Sequence, residues 1–231
     1  MENYQRSEFV AVVKILKVTP DPNNDTYHTL EIETLNRYKG EASTLLRINT
    51  YANTSCAFSI PENTTWLVFA SMGDNNILGF GPCSGSQQID RYLEDARYPR
   101  AAANYKRSLD LKQEVLSYLK KNELVEVNPY NLTLFDIGIH ETTTFKGFDN
   151  QNRFAVYELD VNEDLSIDKV TALQSFDNPK LAQLFSEHLR KNARINNKFR
   201  KSIPTKTKLI MIYYYYPAEG NDQSFVSWID V

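Results

Sequence analysis

The chain of 231 residues carries 26 Lys and Arg against 29 Asp and Glu, for a net charge of −3, with 42% hydrophobic residues. That balance suits a folded protein with one large or two small cores, and it excludes a globally basic nucleic-acid binder. No apolar run approaches the roughly 20 residues that span a bilayer as a helix.

Residues 9–18 (FVAVVKILKV) are apolar, β-branched and too short for a buried helix, which predicts a strand. Pro20 to Asp25 reads as a turn. From Tyr27 to Tyr38, polar Tyr27, Thr29, Glu31 and Glu33 alternate with a more apolar face of His28, Leu30, Ile32 and Thr34. Further strands are predicted at 44–50, 65–71 and 77–80, and five short strands with polar turns suit a small closed barrel. Residues 91–122 change period: Tyr105, Leu109, Val115, Leu116 and Leu119 make the apolar stripe of an amphipathic helix, and Pro99 breaks any helix running from Asp90. Strands are expected again at 132–139, 153–161, 167–174 and 208–216, with a last one over 225–231. Asn178-Pro179 starts a helix, with Asn as N-cap and Pro at the first helical position. Leu181, Leu184, Phe185 and Leu189 then form its apolar face. The fold class is therefore mainly β with an α+β second domain. Residues 1–90 are expected to form a small closed barrel, 91–127 a helical connector packed on it, and 128–231 an α+β domain.

Cys56 and Cys83 are the two cysteines. Alone they leave two readings open, buried free thiols of a cytosolic protein or one disulfide. Met1 to Arg6 reads as neither signal peptide nor lipidation site. A native start at Met1 implies a cytoplasmic protein; otherwise a leader has been removed.

The first 85 or so residues resemble the netrin/TIMP-like family of OB barrels. The resemblance is carried by Ser7-Glu-Phe-Val-Ala-Val-Val-Lys-Ile15, Asn36-Arg-Tyr-Lys-Gly40, Ser55-Cys56, Thr65-Trp-Leu-Val-Phe-Ala-Ser71 and Gly81-Pro-Cys-Ser-Gly-Ser86, in that order. It implies a Cys56–Cys83 disulfide and, with it, a periplasmic or secreted protein. The metalloproteinase inhibitors of the family chelate the protease zinc through an N-terminal Cys, and Met1–Arg6 holds none. Residues 152–216 are similar to the TonB C-terminal-like module, through Arg153–Asp160, Val161-Asn-Glu-Asp-Leu-Ser-Ile167, the 178–191 helix and Lys208–Pro217. Leu165 stands where that family places a turn glycine.

The three histidines, His28, His140 and His188, have no metal-ligand spacing. His140-Glu141 near Asp136 is the nearest approach, but adjacent strand residues point to opposite faces. Gly79-Phe-Gly81 precedes no helix and is not a phosphate loop. No nucleophile elbow or Walker loop is present. No catalytic residue, metal or cofactor is expected.

Arg190, Lys191, Arg194, Lys198, Arg200, Lys201, Lys206 and Lys208 form a basic run with no Asp or Glu between 188 and 218. The remainder holds 18 basic against 29 acidic residues, net −11. The plain reading is a solvated helix end and loop. The sharper one is a patch for an anionic partner, with Arg190, Lys191, Arg194, Lys198, Arg200 and Lys201 as its candidates. Tyr213, Tyr214, Tyr215 and Tyr216 read as ordinary sheet residues that, at an edge, would accept a peptide by strand addition.

The expected function is a non-catalytic extracytoplasmic binding or adaptor protein with a protein or peptide partner. A cell-envelope polymer is the other candidate partner, nucleic acid is not expected, and membrane association would need a leader or anchor outside these residues. Oligomeric state stays open. Inhibition of extracellular proteases is the alternative, by resemblance, and an enzyme of another type the third reading.

Overall fold

The structure is a computed structural model that describes residues 2–51, 57–73, 76–93, 97–125, 128–136, 143–197 and 201–228. It divides into two compact units, Glu2–Val125 and Glu126–Asp230.

In the first unit, β1 (Phe9–Asp21), β2 (Asn24–Lys39), β3 (Leu45–Asn49), β4 (Thr65–Met72) and β5 (Leu78–Phe80) close a barrel in the order 1-2-3-5-4-1. All neighbours are antiparallel except β3 and β5, which run parallel through Arg47↔Gly79 and Ile48↔Phe80. This is an OB-like arrangement. Alternation fills it. Phe9, Ala11, Val13 and Ile15 of β1 meet Leu30 and Ile32 of β2, Leu46 and Ile48 of β3, and Trp66, Val68 and Ala70 of β4 in one core. Phe58, Trp66 and Phe80 pack with ring centroids 5.9–6.3 Å apart. Register shifts along β1, as between Ile15 and Lys17, bend the two longest strands around the barrel. A two-residue strand β6 (Gln87–Gln88) pairs antiparallel with β4 through Trp66↔Gln88 and Leu67↔Gln87.

A short helix α1 (Glu2–Arg6) precedes the barrel, and its Tyr4 is buried. The motif Tyr38-Lys39-Gly40 is built around it. Lys39 Nζ donates to the Tyr4 and Gln5 carbonyls at 2.8 and 3.3 Å and lies 4.8 Å from the Tyr4 ring centre. Gly40 takes φ 83°, and a Cβ there would strike the Glu8 carbonyl oxygen. Gly85, also at φ 83°, makes room for the Asn3 side chain in the same way. Lys39, Gly40 and Gly85 thus seat the N-terminal helix.

Helix α2 (Ala101–Lys121) starts two residues after Pro99, and Leu109, Leu111, Val115, Leu116 and Leu119 are its buried face. Polar bonds hold it along the barrel: Tyr105 Oη donates to Gln88 O (2.6 Å), Lys112 Nζ to Gln87 Oε1 (2.9 Å), Tyr38 Oη to Gln113 Oε1 (3.4 Å) and Lys120 Nζ to Arg37 O (2.6 Å).

The second unit is an antiparallel sheet in the order β12-β11-β8-β9, from β8 (Phe154–Val161), β9 (Ile167–Gln174), β11 (Thr207–Tyr216) and β12 (Phe225–Ser227). Beside it, β7 (Leu132–Asp136) pairs with β10 (Ala193–Asn197). Helix α3 (Pro179–Asn192) buries Leu181, Phe185 and Leu189. The Phe185 ring lies 4.7–5.5 Å from those of Tyr213, Phe176, Phe145 and Tyr157, so one aromatic cluster joins helix to sheet. Along β8 and β11, Ala155, Tyr157, Leu159, Leu209, Tyr213 and Tyr215 enter this core.

Candidate functional site

The barrel presents one built surface, the outer wall of β2, β3 and β5. Cross-strand pairing sets its rows. Tyr27 stands opposite Asn49, Thr29 opposite Arg47, and Glu31 opposite Leu45, while Arg47 also faces Gly79 of β5. Arg47 organises the wall. Its guanidinium lies 4.1 Å from the Tyr27 ring centre, and its Nη2 is 2.7 Å from Asp21 Oδ2. Both members of that pair are about three-quarters shielded, with side-chain exposures of 23% and 24%, so the Arg47 charge is held rather than loose.

Glycines keep the β5 side low. At Gly79 a Cβ would come within 2.8 Å of the Arg47 carbonyl oxygen, and at Gly81 within 3.8 Å of the Tyr51 ring. Tyr51 takes φ 47°, an uncommon value for a bulky residue, and is 42% exposed. Its backbone N–H donates to Asn49 Oδ1 (2.9 Å). Leu45 and Ile77 are exposed nearby in the chain. The result is a wall with tyrosine rings, a neutralised guanidinium and bare backbone, able to take flat or extended groups by stacking and hydrogen bonding.

Sequence alternation places Tyr27, Thr29, Glu31 and Glu33 outward. The partner strand and the bare Gly79 and Gly81 depend on pairing between distant segments, which periodicity does not reveal.

The expected Cys56–Cys83 disulfide needs correction. Cys83 is an exposed free thiol, and Cys56 lies outside the described residues. The turn that carries Cys83 closes by its own bonds, Ser84 N and Oγ both donating to Gly81 O at 3.1 and 2.8 Å, and it leaves the thiol facing solvent.

The expected edge near Tyr213–Tyr216 also differs. β11 is an interior strand there: Tyr214, Tyr215 and Tyr216 pair with Ser227, Val226 and Phe225 on one side, and Tyr213 and Tyr214 with Ala155 and Phe154 on the other. Tyr213, Tyr214 and Tyr215 are buried, and Tyr216 stacks on Phe225 with centroids 4.8 Å apart. β12, only three residues long, closes the edge, and hydrophobic pattern alone cannot say which strand lies outermost.

The basic run is split. Arg190 and Lys191 occupy the last turn of α3, and Arg194 Nη1 donates to the Lys191 and Ala193 carbonyls at 3.0 and 2.8 Å. These cations serve the negative end of the helix. Lys201 is exposed, and Lys198 and Arg200 lie outside the described residues. Lys208 belongs to the sheet: it faces Asp160, which faces Lys169, and its Nζ is 2.7 Å from Glu158 Oε1. The Glu158 hydrogen bond and charge hold its ammonium above the usual lysine value.

His188 Nδ1 is 2.9 Å from Asn192 Nδ2 and its ring packs on Phe145 at 5.0 Å, the setting of a structural residue. His28 is half-buried in β2, opposite Ile48. His140 and Glu141 lie outside the described residues. Among the described residues no three His, Cys, Asp or Glu are placed to hold a metal ion, and no described helix is long and apolar enough to cross a membrane.

No protein-family model matches the chain, and no curated protein matches it.

Proposed function

We propose that this is a non-catalytic binding protein that acts outside the cytoplasm and takes a protein or peptide partner on the β2–β3–β5 wall of its barrel. One observation carries the reading: exposed Tyr51 and the Arg47–Tyr27 stack, locked by Asp21, sit beside bare glycine backbone. Rigid aromatic and guanidinium anchors next to low ground are what protein interfaces use as hot spots. OB barrels also commonly bind on the face of strands 2 and 3, an analogy of fold rather than of site. Kinship of the barrel with the netrin/TIMP-like family is part of the proposal and supplies its compartment, since the free Cys83 thiol lends that none. The inhibitor alternative gains nothing from this wall, which lies on β2, β3 and β5 and not at α1.

A photo-crosslinking residue at position 51 in the native host tests the reading. A discrete protein adduct is expected, lost in Arg47→Glu and retained in Glu41→Gln. Adducts that ignore Arg47, or none from position 51, would remove the wall as the docking surface. Recovery of the chain in the cytosolic fraction would remove the compartment.

A further inference from the structure

A cleft of about 560 Å³ opens in the second unit, within the size range of sites that take small molecules. Asp160 and Asn162 line it at the end of β8, Asp168 from β9, and Lys206, Thr207 and Lys208 where β11 begins. Sites of this size usually have mostly apolar walls. This one is built from charge.

Two acids and two cations share the cleft, and strand pairing keeps them from cancelling. Lys208 faces Asp160 across the β8–β11 ladder, and Lys169 faces it from β9. Asp160 pairs with neither among the described residues, because Lys208 Nζ bonds Glu158 Oε1 at 2.7 Å instead. Asp160 is half-buried all the same. Asp168 arrives through a local irregularity. Asp160 faces Lys169 and Val161 faces Ile167, so Asp168 is the extra residue of a β-bulge. Bulges re-aim a side chain away from the regular alternation, and this one supplies the second carboxylate of the cleft. Neither Asp168 nor Lys206 has an ion pair or hydrogen bond among the described residues. Asn162 is fixed, its N–H donating to Ser166 O (2.9 Å) and its Nδ2 to Ser166 Oγ (3.0 Å).

We propose that this cleft binds a small zwitterion of amino-acid type, with an ammonium and a carboxylate on one short skeleton. The ammonium goes to Asp160 and Asp168 and the carboxylate to Lys206, with Asn162 and Thr207 as neutral hydrogen-bonding neighbours. A lining of two acids and two cations has no net charge, so a molecule carrying both signs is favoured over a plain anion or a plain cation. A metal ion is the poorer occupant, since no three His, Cys, Asp or Glu converge among the described residues. The site belongs to the second unit and does not depend on the barrel wall.

The test is an NMR titration of the isotope-labelled whole chain with L-alanyl-L-alanine, its N-acetyl form and its C-terminal amide. The dipeptide is expected to move the backbone amide signals of Asn162, Asp168 and Thr207. Each blocked form should bind at least about tenfold more weakly, the ordinary effect of losing one charge-assisted contact. Asp168→Asn should weaken the dipeptide about three- to tenfold and leave the N-acetyl form as it was, and Lys206→Gln should weaken the dipeptide and spare the amide. Both positions are exposed, and unchanged signals elsewhere in the second unit separate lost binding from lost fold. No shift at about 20 mM dipeptide, well above the millimolar range of a ligand held by a few contacts, would overturn the site. So would equal binding of the blocked forms, or binding indifferent to both substitutions. Calcium chloride that moves the same amides and displaces the dipeptide would overturn the zwitterion as its ligand.

Discussion

Leu165 shows how one residue can be wrong for its backbone and right for its core. It closes the turn between β8 and β9 at φ 69°, where a side chain costs roughly 1 kcal/mol. The turn is otherwise well made: Asp164 accepts from Ser166 N and Oγ at 3.0 and 2.6 Å, bonds that hold its carboxyl below the usual range. The Leu165 side chain is half-buried against the core of the second unit, and that contact offsets the strain. Leu165→Ala should therefore destabilise by about 1–2 kcal/mol, because it loses packing and keeps the strain. Leu165→Gly should cost less than alanine, since it loses the strain too. Urea unfolding midpoints decide it, and an alanine variant as stable as the glycine one would mean the backbone angle does not matter. Gly40 is the converse. The sequence motif marks it, but its reason, the Glu8 carbonyl where a Cβ would go, is a tertiary contact.

Among the elements, α3 was the most legible because its signals are local. Asn178 accepts from Lys180 N and Leu181 N, both at 3.1 Å, and its own Nδ2 donates to Asp149 O at 2.8 Å. Asn178→Ala should cost about 1–2 kcal/mol, seen as an earlier unfolding midpoint. A loss below about 0.3 kcal/mol would mean that water replaces the cap without penalty. The barrel strands were legible for the same reason, since period-two alternation survives in one dimension. β10 was not. Ala193–Asn197 carries few apolar residues, follows α3 directly and is a strand only because β7 pairs with it. The run of four tyrosines was legible as strand and misleading as edge, since Ser227 and Phe225 come from beyond a separate loop. At the barrel wall, Tyr27 could be placed outward from alternation, whereas its stack with Arg47 depends on the β2–β3 register.

At the scale of the molecule, both units place tyrosine hydroxyls out of water, and this sets how they answer to alkali. Burial raises the hydroxyls of Tyr4 and Tyr38 in the first unit and of Tyr157 and Tyr214 in the second; Asn36 and Ser117 partly offset it at Tyr38, and Ser186 and Ser175 at Tyr157. Each folded value lies above the unfolded one of about 10, so their contribution is fully present below that pH and is lost as pH rises beyond it. The loss can reach about 1.4 kcal/mol per pH unit for each tyrosine that ionises only when unfolded. Tyr214 is the sharpest case. Its hydroxyl is buried with no hydrogen-bond partner among the described residues, which costs free energy at neutral pH as well. Tyr214→Phe should raise stability by about 1 kcal/mol at pH 7 and flatten the decline above about pH 10. Two units need not unfold together, so the transition of the second unit is the one to follow, by urea titration at several pH values. An unchanged slope in Tyr214→Phe would mean that this hydroxyl ionises as readily in the folded unit as in the unfolded chain.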